Sequence, residues 1–371
     1  MFEVQDIFRD FGQEFIERYN PPPNVCKTIR AISNCRTEVL GAHVDHCDNC
    51  GYTQISYNSC RDRHCPKCQS LKKEQWILDR QSELLPVPYF HVVFSIPSDL
   101  DTIALQNQEI IYNILFRASS ETLKELAADP KYLGAETGFI SVLHTWGQTL
   151  TFHPHVHMIV PGGGLTPDGK WKEAGKKFFL PVRVMSRLFR GKFLFYLKNA
   201  KLSFLGSQEY LADITQFDCL LSNLYNKEWY VYCKRPFKTT YSVLEYLGRY
   251  THRVAISNHR IINYEDGIVT FKWRDYSDRN TEKTMTLHAF EFIRRFLLHV
   301  LPPGFTKIRH YGFLGSAVKA DKLLIISRLL NFILSVKTAI LSTSELIKKL
   351  LGKDITLCPI CGAKFSIAAS P

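Results

Sequence analysis

The stretch His153-Pro-His-Val-His-Met-Ile-Val-Pro-Gly-Gly-Gly164 decides the fold of this chain. Its histidines alternate with apolar residues, and the run ends at a proline followed by three glycines. Alternation with a period of two is typical of a β-strand with one buried face. We therefore predict a strand over residues 155–160. His155 and His157 would then share one face, and Val156 would lie on the face that packs into the core.

Segments on either side of this strand show the same kinds of pattern. β-branched and aromatic runs predict strands, and apolar residues at helical spacing predict helices. The strands are predicted at residues 89–96, 139–146, 229–233, 253–262 and 268–273, and the helices at 99–128, 240–250 and 287–300. Because strands and helices do not alternate regularly, the order favours an α+β fold over a doubly wound parallel sheet.

Breaks and shifts in composition predict the domain organisation. Pro86-Val-Pro88 separates a cysteine-rich region from the predicted strands, so we expect an N-terminal domain of helices and a zinc site at residues 1–85. The main domain is expected at residues 86–315, with a mixed, basic insertion at about 165–220. Residues 316–371 are expected to form a helical tail.

Composition and charge restrict the function. The 371 residues include 47 Lys and Arg against 35 Asp and Glu, which gives a net charge of +12. The share of hydrophobic residues is that of an ordinary globular protein. Residues 1–20 lack the pattern of a signal peptide. Arg328 and Lys337 interrupt the most hydrophobic stretch, so it is too short for a membrane span. The charge therefore indicates an anionic soluble partner, for which nucleic acid is the usual candidate.

Cysteine spacing predicts a zinc site. Cys47-x-x-Cys50 and Cys65-x-x-Cys68 have the spacing of two knuckles that bring four thiolates to one tetrahedral Zn²⁺. Two further cysteine motifs each have more than one interpretation. Cys60-x-x-x-His64 supplies half of a second site or replaces a knuckle ligand. The distant Cys358-x-x-Cys361 pair is either a bystander or half of a site completed by Cys26 and Cys35 or by another chain.

Basic residues crowd the second knuckle. Arg61, Arg63 and Lys67 surround Cys65 and Cys68. Cations on a zinc-stabilised loop suit contact with phosphates, so we predict that these three side chains bind DNA. The alternative is a zinc site with a purely structural role.

The histidine strand predicts a second kind of metal site. Two imidazoles on one strand face suit a divalent ion that polarises a phosphate. A third ligand is expected from the neighbouring strand, where Gln148 and His144 are the candidates, and we prefer Gln148 because it lies nearer the turn. His153 lies further out on the same face, so we expect it to support the site or face DNA. The alternative is a set of hydrogen-bonded core histidines.

A tyrosine pair follows in the predicted helix at 240–250. Tyr246 and Tyr250 are four residues apart and therefore share a helix face, with Arg249 and Arg253 beside them. A phenol near a divalent ion and arginines suits nucleophilic attack on a phosphodiester. Taken alone, the helix favours the alternative that both phenols pack into a core. The histidine strand shifts the balance towards catalysis.

These motifs together resemble the bacterial insertion-sequence transposases of the rolling-circle, two-tyrosine HUH type. The resemblance covers about residues 20–315. It rests on His153-Pro-His-Val-His157 and on four further motifs: Tyr57-Asn-Ser-Cys-Arg-Asp-Arg-His-Cys-Pro-Lys-Cys68, Tyr246-Leu-Gly-Arg-Tyr-Thr-His-Arg253, Arg295-Phe-Leu-Leu-His-Val-Leu-Pro302 and Arg309-His-Tyr-Gly312.

The resemblance implies an HUH-type nuclease palm on an antiparallel, RRM-like sheet, preceded by a small zinc-binding domain. It implies Mg²⁺ or Mn²⁺ at His155 and His157, and nucleophiles at Tyr246 and Tyr250. The implied reaction nicks single-stranded DNA at transposon ends, leaving a 5′-phosphotyrosine and a free 3′ hydroxyl. Since no GxxxxGK[ST] motif is present, host helicase and replication proteins are expected partners, at the nucleoid in the bacterial cytoplasm.

Two other functions fit part of this pattern. A replication initiator or conjugative relaxase would use the same chemistry, although the zinc region disfavours it. A zinc-containing DNA-binding regulator without catalysis would leave the tyrosines and histidines dispensable.

Overall fold

The computed structural model describes residues 2–175, 179–234, 242–243, 248, 255–276, 278–334 and 341–367. Within these ranges, no helix is both long and apolar enough to cross a membrane.

Helices and strands are mixed along the chain. The helices of the described residues are α1 (Val4–Tyr19), α2 (Pro23–Ser33), α3 (Pro66–Gln81), α4 (Asp101–Gln106), α5 (Gln108–Ala128), α6 (Val182–Lys198), α7 (Ile214–Asn226), α8 (Ala289–Leu297), α9 (Lys319–Leu329) and α10 (Thr343–Leu351). The strands are β1 (Ala42–His46), β2 (Thr53–Tyr57), β3 (Tyr89–Ser95), β4 (Phe139–Trp146), β5 (Phe152–Pro161), β6 (Gly163–Leu165), β7 (Trp171–Glu173), β8 (Val231–Lys234), β9 (Ile261–Glu265), β10 (Ile268–Asp275), β11 (Thr281–His288), β12 (Ile308–Tyr311) and β13 (Ser366–Ile367).

The central sheet has five strands in the order β12-β4-β5-β3-β8, and every neighbouring pair is antiparallel. The register of β4 on β5 places His144 opposite His155 and Val142 opposite His157. On the other side of β5, Ser95 of β3 lies opposite His155. The predicted α+β fold with an antiparallel sheet is therefore confirmed.

The two faces of this sheet have different roles. Phe94 of β3 and Val156 and Met158 of β5 point to one side, where they join the largest apolar core together with residues of α5 and α6. The opposite face carries the histidines of β5, as expected from the alternation of side chains along a strand. The core thus fixes the sheet, and the opposite face, the histidine face, carries the polar histidines beside a smaller apolar group.

Residues 165–220, which we expected to be an insertion, contribute to this core. Phe189 of α6 lies edge-on against Phe94 of β3, with ring centroids 5.0 Å apart. It also contacts Trp229, at 5.4 Å. Because α6 is amphipathic, its apolar face covers the sheet while its basic residues face outwards. The basic composition therefore belongs to the outer face of a core helix.

A second apolar core joins α1 and α2 to α8 and to the sheet β11-β10-β9. Phe8 and Phe296 meet edge-on there, with centroids 5.1 Å apart. The strand predicted at residues 253–262 differs from the structure, since Asn258–Arg260 form a 3-10 helix and β9 begins afterwards. The buried Arg260 side chain explains this, because its guanidinium donates to the carbonyls of Lys272 (2.7 Å) and Gln148 (2.6 Å).

The packing of α6 predicts how two phenylalanines on that helix differ. Phe189→Ala should lower the free energy of unfolding by about 3–5 kcal/mol, because it removes a fully buried ring and leaves a cavity. Phe195→Ala on the same helix should change it by less than about 0.5 kcal/mol, because that side chain is 65% exposed. Urea unfolding of both variants measures the difference. Equal effects would show that α6 is not part of the core.

Candidate metal centres

Three histidines of β4 and β5 meet on the polar face of the central sheet. His144, His155 and His157 each bring a ring nitrogen within 4.8 Å of the other two. The cross-strand pair accounts for His144 and His155, and His157 lies two residues further along the same face of β5. His144 and His157 are buried, and His155 is half-buried. The arrangement offers three nitrogen ligands to one ion.

Hydrogen bonding orients the His155 ring. Its Nδ1 donates to the carbonyl oxygen of His153 at 2.8 Å. Since a carbonyl only accepts, the proton is on Nδ1 and the lone pair is on Nε2. Burial lowers the pKa of His155 to about 4, so the ring is neutral at neutral pH. Neutral imidazole is the form that binds a metal, and three such nitrogens fit a divalent ion.

A fourth histidine supports the group from β3. His91 Nε2 lies 2.8 Å from Nδ1 of His157, and the two rings stack with centroids 5.1 Å apart. A partner on the second ring nitrogen is what fixes the orientation of a metal-binding imidazole. His91 is not among the candidates that the histidine strand predicts. Its signal was the alternation of Phe90, Val92 and Phe94, which assigns His91 to the polar face.

The third histidine of the group is the second candidate from the sequence, and the preferred candidate lies elsewhere. The preferred candidate, Gln148, lies in the turn beyond the end of β4, and its Nε2 donates to the hydroxyl of Tyr276 at 3.0 Å. His144 instead occupies the position opposite His155. The strand register, rather than closeness to the turn, decides which side chain of β4 lies opposite His155, and this side chain is His144.

His153 lies outside the three-histidine group. Its Nε2 is 2.7 Å from Oγ of Ser95, and its Nδ1 is 3.2 Å from Oδ1 of Asp101. Both ring nitrogens therefore have partners, one at the end of β3 and one at the start of α4. These contacts hold the start of β5 against both elements.

Four cysteines form a separate cluster, the first cysteine cluster: Cys35, Cys60, Cys65 and Cys68. The Sγ atom of Cys68 is 3.6 Å from that of Cys35 and 3.5 Å from that of Cys60. A disulfide would need about 2.05 Å. Thiolates bound to zinc at about 2.3 Å lie about 3.8 Å from one another in a tetrahedron. The separations therefore fit a tetrahedral zinc site.

The thiols of this cluster favour the ionised form at two positions. Contacts with the Cys60 and Cys65 thiols lower the pKa of Cys35 to about 7. The pKa of Cys68 is also lowered, by Cys35 first and then by Cys60 and Cys65. Thiolate is the form of cysteine that binds zinc.

The two predicted knuckles do not meet, so the expectation of one ion shared by both pairs is wrong. Cys65 and Cys68 lie at the start of α3, in the first cluster. Cys47 and Cys50 lie in the turn between β1 and β2, where they form a second cysteine cluster with Cys358 and Cys361. The reason is topological, since the β1–β2 hairpin carries its turn away from α3 and towards the end of the chain.

Of the two alternative ligands, Cys60 joins the first cluster and His64 does not. His64 Nε2 accepts the backbone N–H of Leu301 at 3.2 Å, and its Nδ1 contacts Asp62 at 3.1 Å. Burial lowers the pKa of His64, which favours the neutral ring that accepts this bond. His64 therefore connects the cysteine loop to the segment after α8.

The basic residues of this loop have different surroundings. The guanidinium of Arg63 donates to the carbonyls of Phe305 (2.6 Å) and Pro302 (2.8 Å). Lys67 forms an ion pair with Glu3 at 2.5 Å. Both side chains thus make contacts within the protein rather than on an open surface. Arg61 is exposed and stays a predicted DNA contact.

Four predicted residues of the tyrosine motif lie outside the described residues: Tyr246, Arg249, Tyr250 and Arg253. Their neighbours Ser242, Val243 and Gly248 are described and helical. Val243 is buried in an apolar group with Val142 of β4 and Ile159 of β5.

The three-histidine group predicts which residue binds the ion. His144→Ala should weaken Mn²⁺ binding by about 100-fold or more, because loss of a supporting partner alone costs about 10–100-fold. Gln148→Ala should change the Mn²⁺ affinity by less than about twofold, because this side chain is not part of the three-histidine group. Electron paramagnetic resonance titration of free Mn²⁺ measures both. A larger loss of Mn²⁺ affinity in the Gln148 variant would show that Gln148, and not His144, is the third ligand.

The first cysteine cluster predicts a contrast between two neighbours. Cys60→Ala should remove one zinc ion per chain, because it deletes one of four thiolates. His64→Ala should keep that zinc and lower stability by about 1–3 kcal/mol, because it leaves the buried N–H of Leu301 without its partner. Metal analysis and thermal unfolding test both expectations. Loss of zinc in the His64 variant would contradict the assigned ligand set.

Two family models match the chain. Residues 138–322 match the family described as "Putative transposase", and residues 7–96 match the "Transposase zinc-binding domain". The zinc-binding match and the cysteine clusters together support Zn²⁺ in the N-terminal part of the chain.

Two curated proteins and several solved structures are similar to this chain. "Putative transposase y4qJ" of Sinorhizobium fredii is 48% identical over 368 residues, covering 97% of this chain and 92% of that protein. The transposase for insertion sequence element IS801 of Pseudomonas savastanoi pv. phaseolicola is 28% identical over 351 residues, covering 93% of this chain and 83% of that protein.

Among solved structures, the metal-bound conjugative relaxase TrwC in complex with oriT DNA has a TM-score of 0.25 at 13% identity, over 43% of this chain and 69% of that chain. TrwC bound to a 27-mer DNA with the recognition hairpin has a TM-score of 0.23 at 11% identity, over 66% and 75%. The identity of 48% over nearly the whole chain, together with both family models, shows that the chain belongs to the transposases.

Proposed function

We propose that this transposase nicks and rejoins single-stranded DNA at the ends of its element, with Tyr246 and Tyr250 as nucleophiles. A divalent ion at His144, His155 and His157 would assist the reaction. The observation that carries the proposal is the three-histidine group on the sheet face against which Val243 packs. Val243 is three residues before the first tyrosine.

The position of Val243 supports the placement of the tyrosines. Val243 packs in the same apolar group as Val142, and Val142 lies directly opposite His157 in the sheet. Residues 243, 246 and 250 have the 3-4 spacing that shares one helix face. A helix that presents Val243 to the histidine face would therefore present both phenols to it as well.

Gly248 supports the same orientation from the other side. A Cβ atom at this position would overlap Ile77 of α3, so the helix backbone lies close against that helix. Position 248 lies on a different helix face from 243, 246 and 250. The two described residues on either side of Tyr246 thus contact α3 and the sheet face that carries the histidines, which supports the proposed orientation.

The chemistry follows from these groups. The histidines would hold a divalent ion, which neutralises charge on the phosphate oxygens and makes phosphorus more electrophilic. A tyrosine loses its proton and its oxygen attacks phosphorus, while the bond from phosphorus to the 3′ oxygen breaks. The products are a 5′-phosphotyrosine and a 3′ hydroxyl. Attack by a 3′ hydroxyl on the phosphotyrosine reverses the step and joins strands, and a second tyrosine permits a second transfer.

The ligand set distinguishes between the two expected ions. Imidazole nitrogens suit transition metals, whereas Mg²⁺ prefers oxygen ligands. Three histidines, with no carboxylate in the group, therefore favour Mn²⁺ over Mg²⁺. The partner would be single-stranded DNA, contacted by Arg61, Arg249 and Arg253, with host helicase and replication proteins opening the duplex.

A covalent-adduct assay tests the nucleophiles. Wild-type protein with Mn²⁺ and a labelled single strand of the element end should form a species that survives denaturing electrophoresis. Tyr246→Phe/Tyr250→Phe should reduce it by about 10³-fold or more, because the reaction loses its nucleophiles. Tyr210→Phe, a change at an exposed tyrosine remote in sequence, should retain it. An undiminished adduct in the double variant would refute the proposal.

The same assay tests the metal site. His155→Ala/His157→Ala should abolish the adduct and leave DNA binding largely intact, while His259→Ala, at an exposed histidine, should leave both unchanged. Equal adduct formation with and without a chelator would argue against a metal-dependent step. A single strand from an origin of transfer, added as competitor, distinguishes a relaxase, because it should reduce the adduct only if the protein is one. Absence of any adduct would favour a non-catalytic regulator.

A further inference from the structure

We propose that the second cysteine cluster binds a structural zinc ion that ties the C-terminal tail to the β1–β2 hairpin. Cys47, Cys50, Cys358 and Cys361 lie with all four sulfurs within 4.8 Å of one another. The zinc-binding family model ends at residue 96, so it does not include the second pair. None of the four residues belongs to the first cysteine cluster, so the two sites are separate.

The sulfur separations fit zinc and exclude disulfides. Sγ of Cys47 is 3.5 Å from Sγ of Cys361, and Sγ of Cys50 is 3.6 Å from Sγ of Cys358. Both distances are well beyond the roughly 2.05 Å of an S–S bond. Both are close to the spacing of about 3.8 Å expected for thiolates around one zinc ion. Four sulfur ligands leave no open position, which is typical of a structural site.

The two halves of the cluster are the same structural motif. In each, the glycine after the second cysteine donates to the carbonyl of the first cysteine, Gly51 at 2.8 Å and Gly362 at 2.9 Å. Both glycines have positive φ, +72° and +76°. Each first cysteine also donates its N–H to the carbonyl five residues later, at 2.9 Å for Cys47 and 2.7 Å for Cys358.

These bonds turn both loops around their sulfurs in the same way. Such a turn needs φ values that residues with a Cβ rarely adopt. In the second loop, the N–H of Ile360 also points to Sγ of Cys358, at 3.4 Å. A backbone N–H directed at sulfur stabilises a thiolate, so the loop is prepared to bind a cation.

The hairpin has little else to hold it together. Within residues 42–57, Cys47 is the one buried residue, while Val44, Ile55 and Tyr57 are exposed. An isolated hairpin without an apolar core is marginal in water. In small domains without a sufficient apolar core, a structural zinc ion contributes directly to the free energy of folding. The metal would therefore replace the missing core.

The tail adds a strand as well as two ligands. β13 pairs antiparallel with β1, with Ser366 opposite His46, and Oγ of Ser366 donates to the carbonyl of His46 at 2.9 Å. Before the cysteines, α10 contacts α3. The tail is thus anchored at α3 and at the hairpin, and α3 is the helix that touches Gly248 of the tyrosine segment.

Metal analysis of the full-length protein tests the site. Cys358→Ser/Cys361→Ser should contain one zinc ion less per chain than the wild type. Cys219→Ser, at an exposed cysteine of α7, should contain as much as the wild type. Zinc held by the histidines is the same in all three proteins, so the difference reports on the cysteines alone. An unchanged zinc content in the double variant would overturn the proposal.

A measurement on the wild type remains decisive even if that variant does not fold. Co²⁺ added to the metal-free protein should give a thiolate-to-cobalt absorption band that rises until two equivalents are bound to sulfur. The histidine group contributes nothing to this band. Saturation after one equivalent would contradict a second thiolate site.

Proteolysis tests the tether itself. Trypsin should cut the double variant at the exposed Lys353 at least tenfold faster than it cuts the wild type or Cys219→Ser, because the tail is released. Equal rates in a variant that has lost one zinc ion would show that the metal does not hold the tail.

Discussion

The antiparallel pairing of β4 with β5 is the interaction on which the candidate active site depends. In the observed register His144 lies opposite His155, and Val142 lies opposite His157. A slip by one residue would turn every side chain of one strand to the other face. The histidines would then separate, and apolar residues would leave the core. The apolar packing of Phe94, Val156 and the α6 helix therefore holds the ligands in position without touching them.

The site is also connected to the zinc region through buried polar groups. His299 lies between α8 and the loop held by Arg63. Its Nε2 is 3.2 Å from the carbonyl oxygen of Leu150, and its Nδ1 is 3.2 Å from Oγ1 of Thr145. Burial lowers its pKa to about 3, so the ring stays neutral. Together with the bond from Leu301 to His64, this joins the first cysteine cluster to the β4–β5 turn. The cysteine loop is thus connected through buried side chains to the strands that carry the three-histidine group.

Local patterns predicted local structure well and long-range contacts poorly. The alternation around His155 and His157 specifies a strand and its faces, but no local signal states which residue of β4 lies opposite. Closeness to the turn therefore favours Gln148, whereas the sheet places His144 there. The CxxC spacings identified ligands, yet partners separated by 308 residues meet in the second cluster. Positive charge likewise does not reveal whether a side chain faces solvent, since the guanidinium of Arg63 donates to backbone carbonyls inside the protein. Domain boundaries near residues 85 and 315 stay predictions.

The second cysteine cluster also has a consequence for biosynthesis. A ribosome adds about 5–20 residues per second, so the 308 residues between Cys50 and Cys358 take on the order of 15–60 s to make. During that time the first knuckle has two of its four ligands and cannot hold zinc in a closed site. Metal capture there comes only after the rest of the chain has been translated. A chain that ends before Cys358 would keep the Cys47–Cys50 pair without its second pair of sulfur ligands.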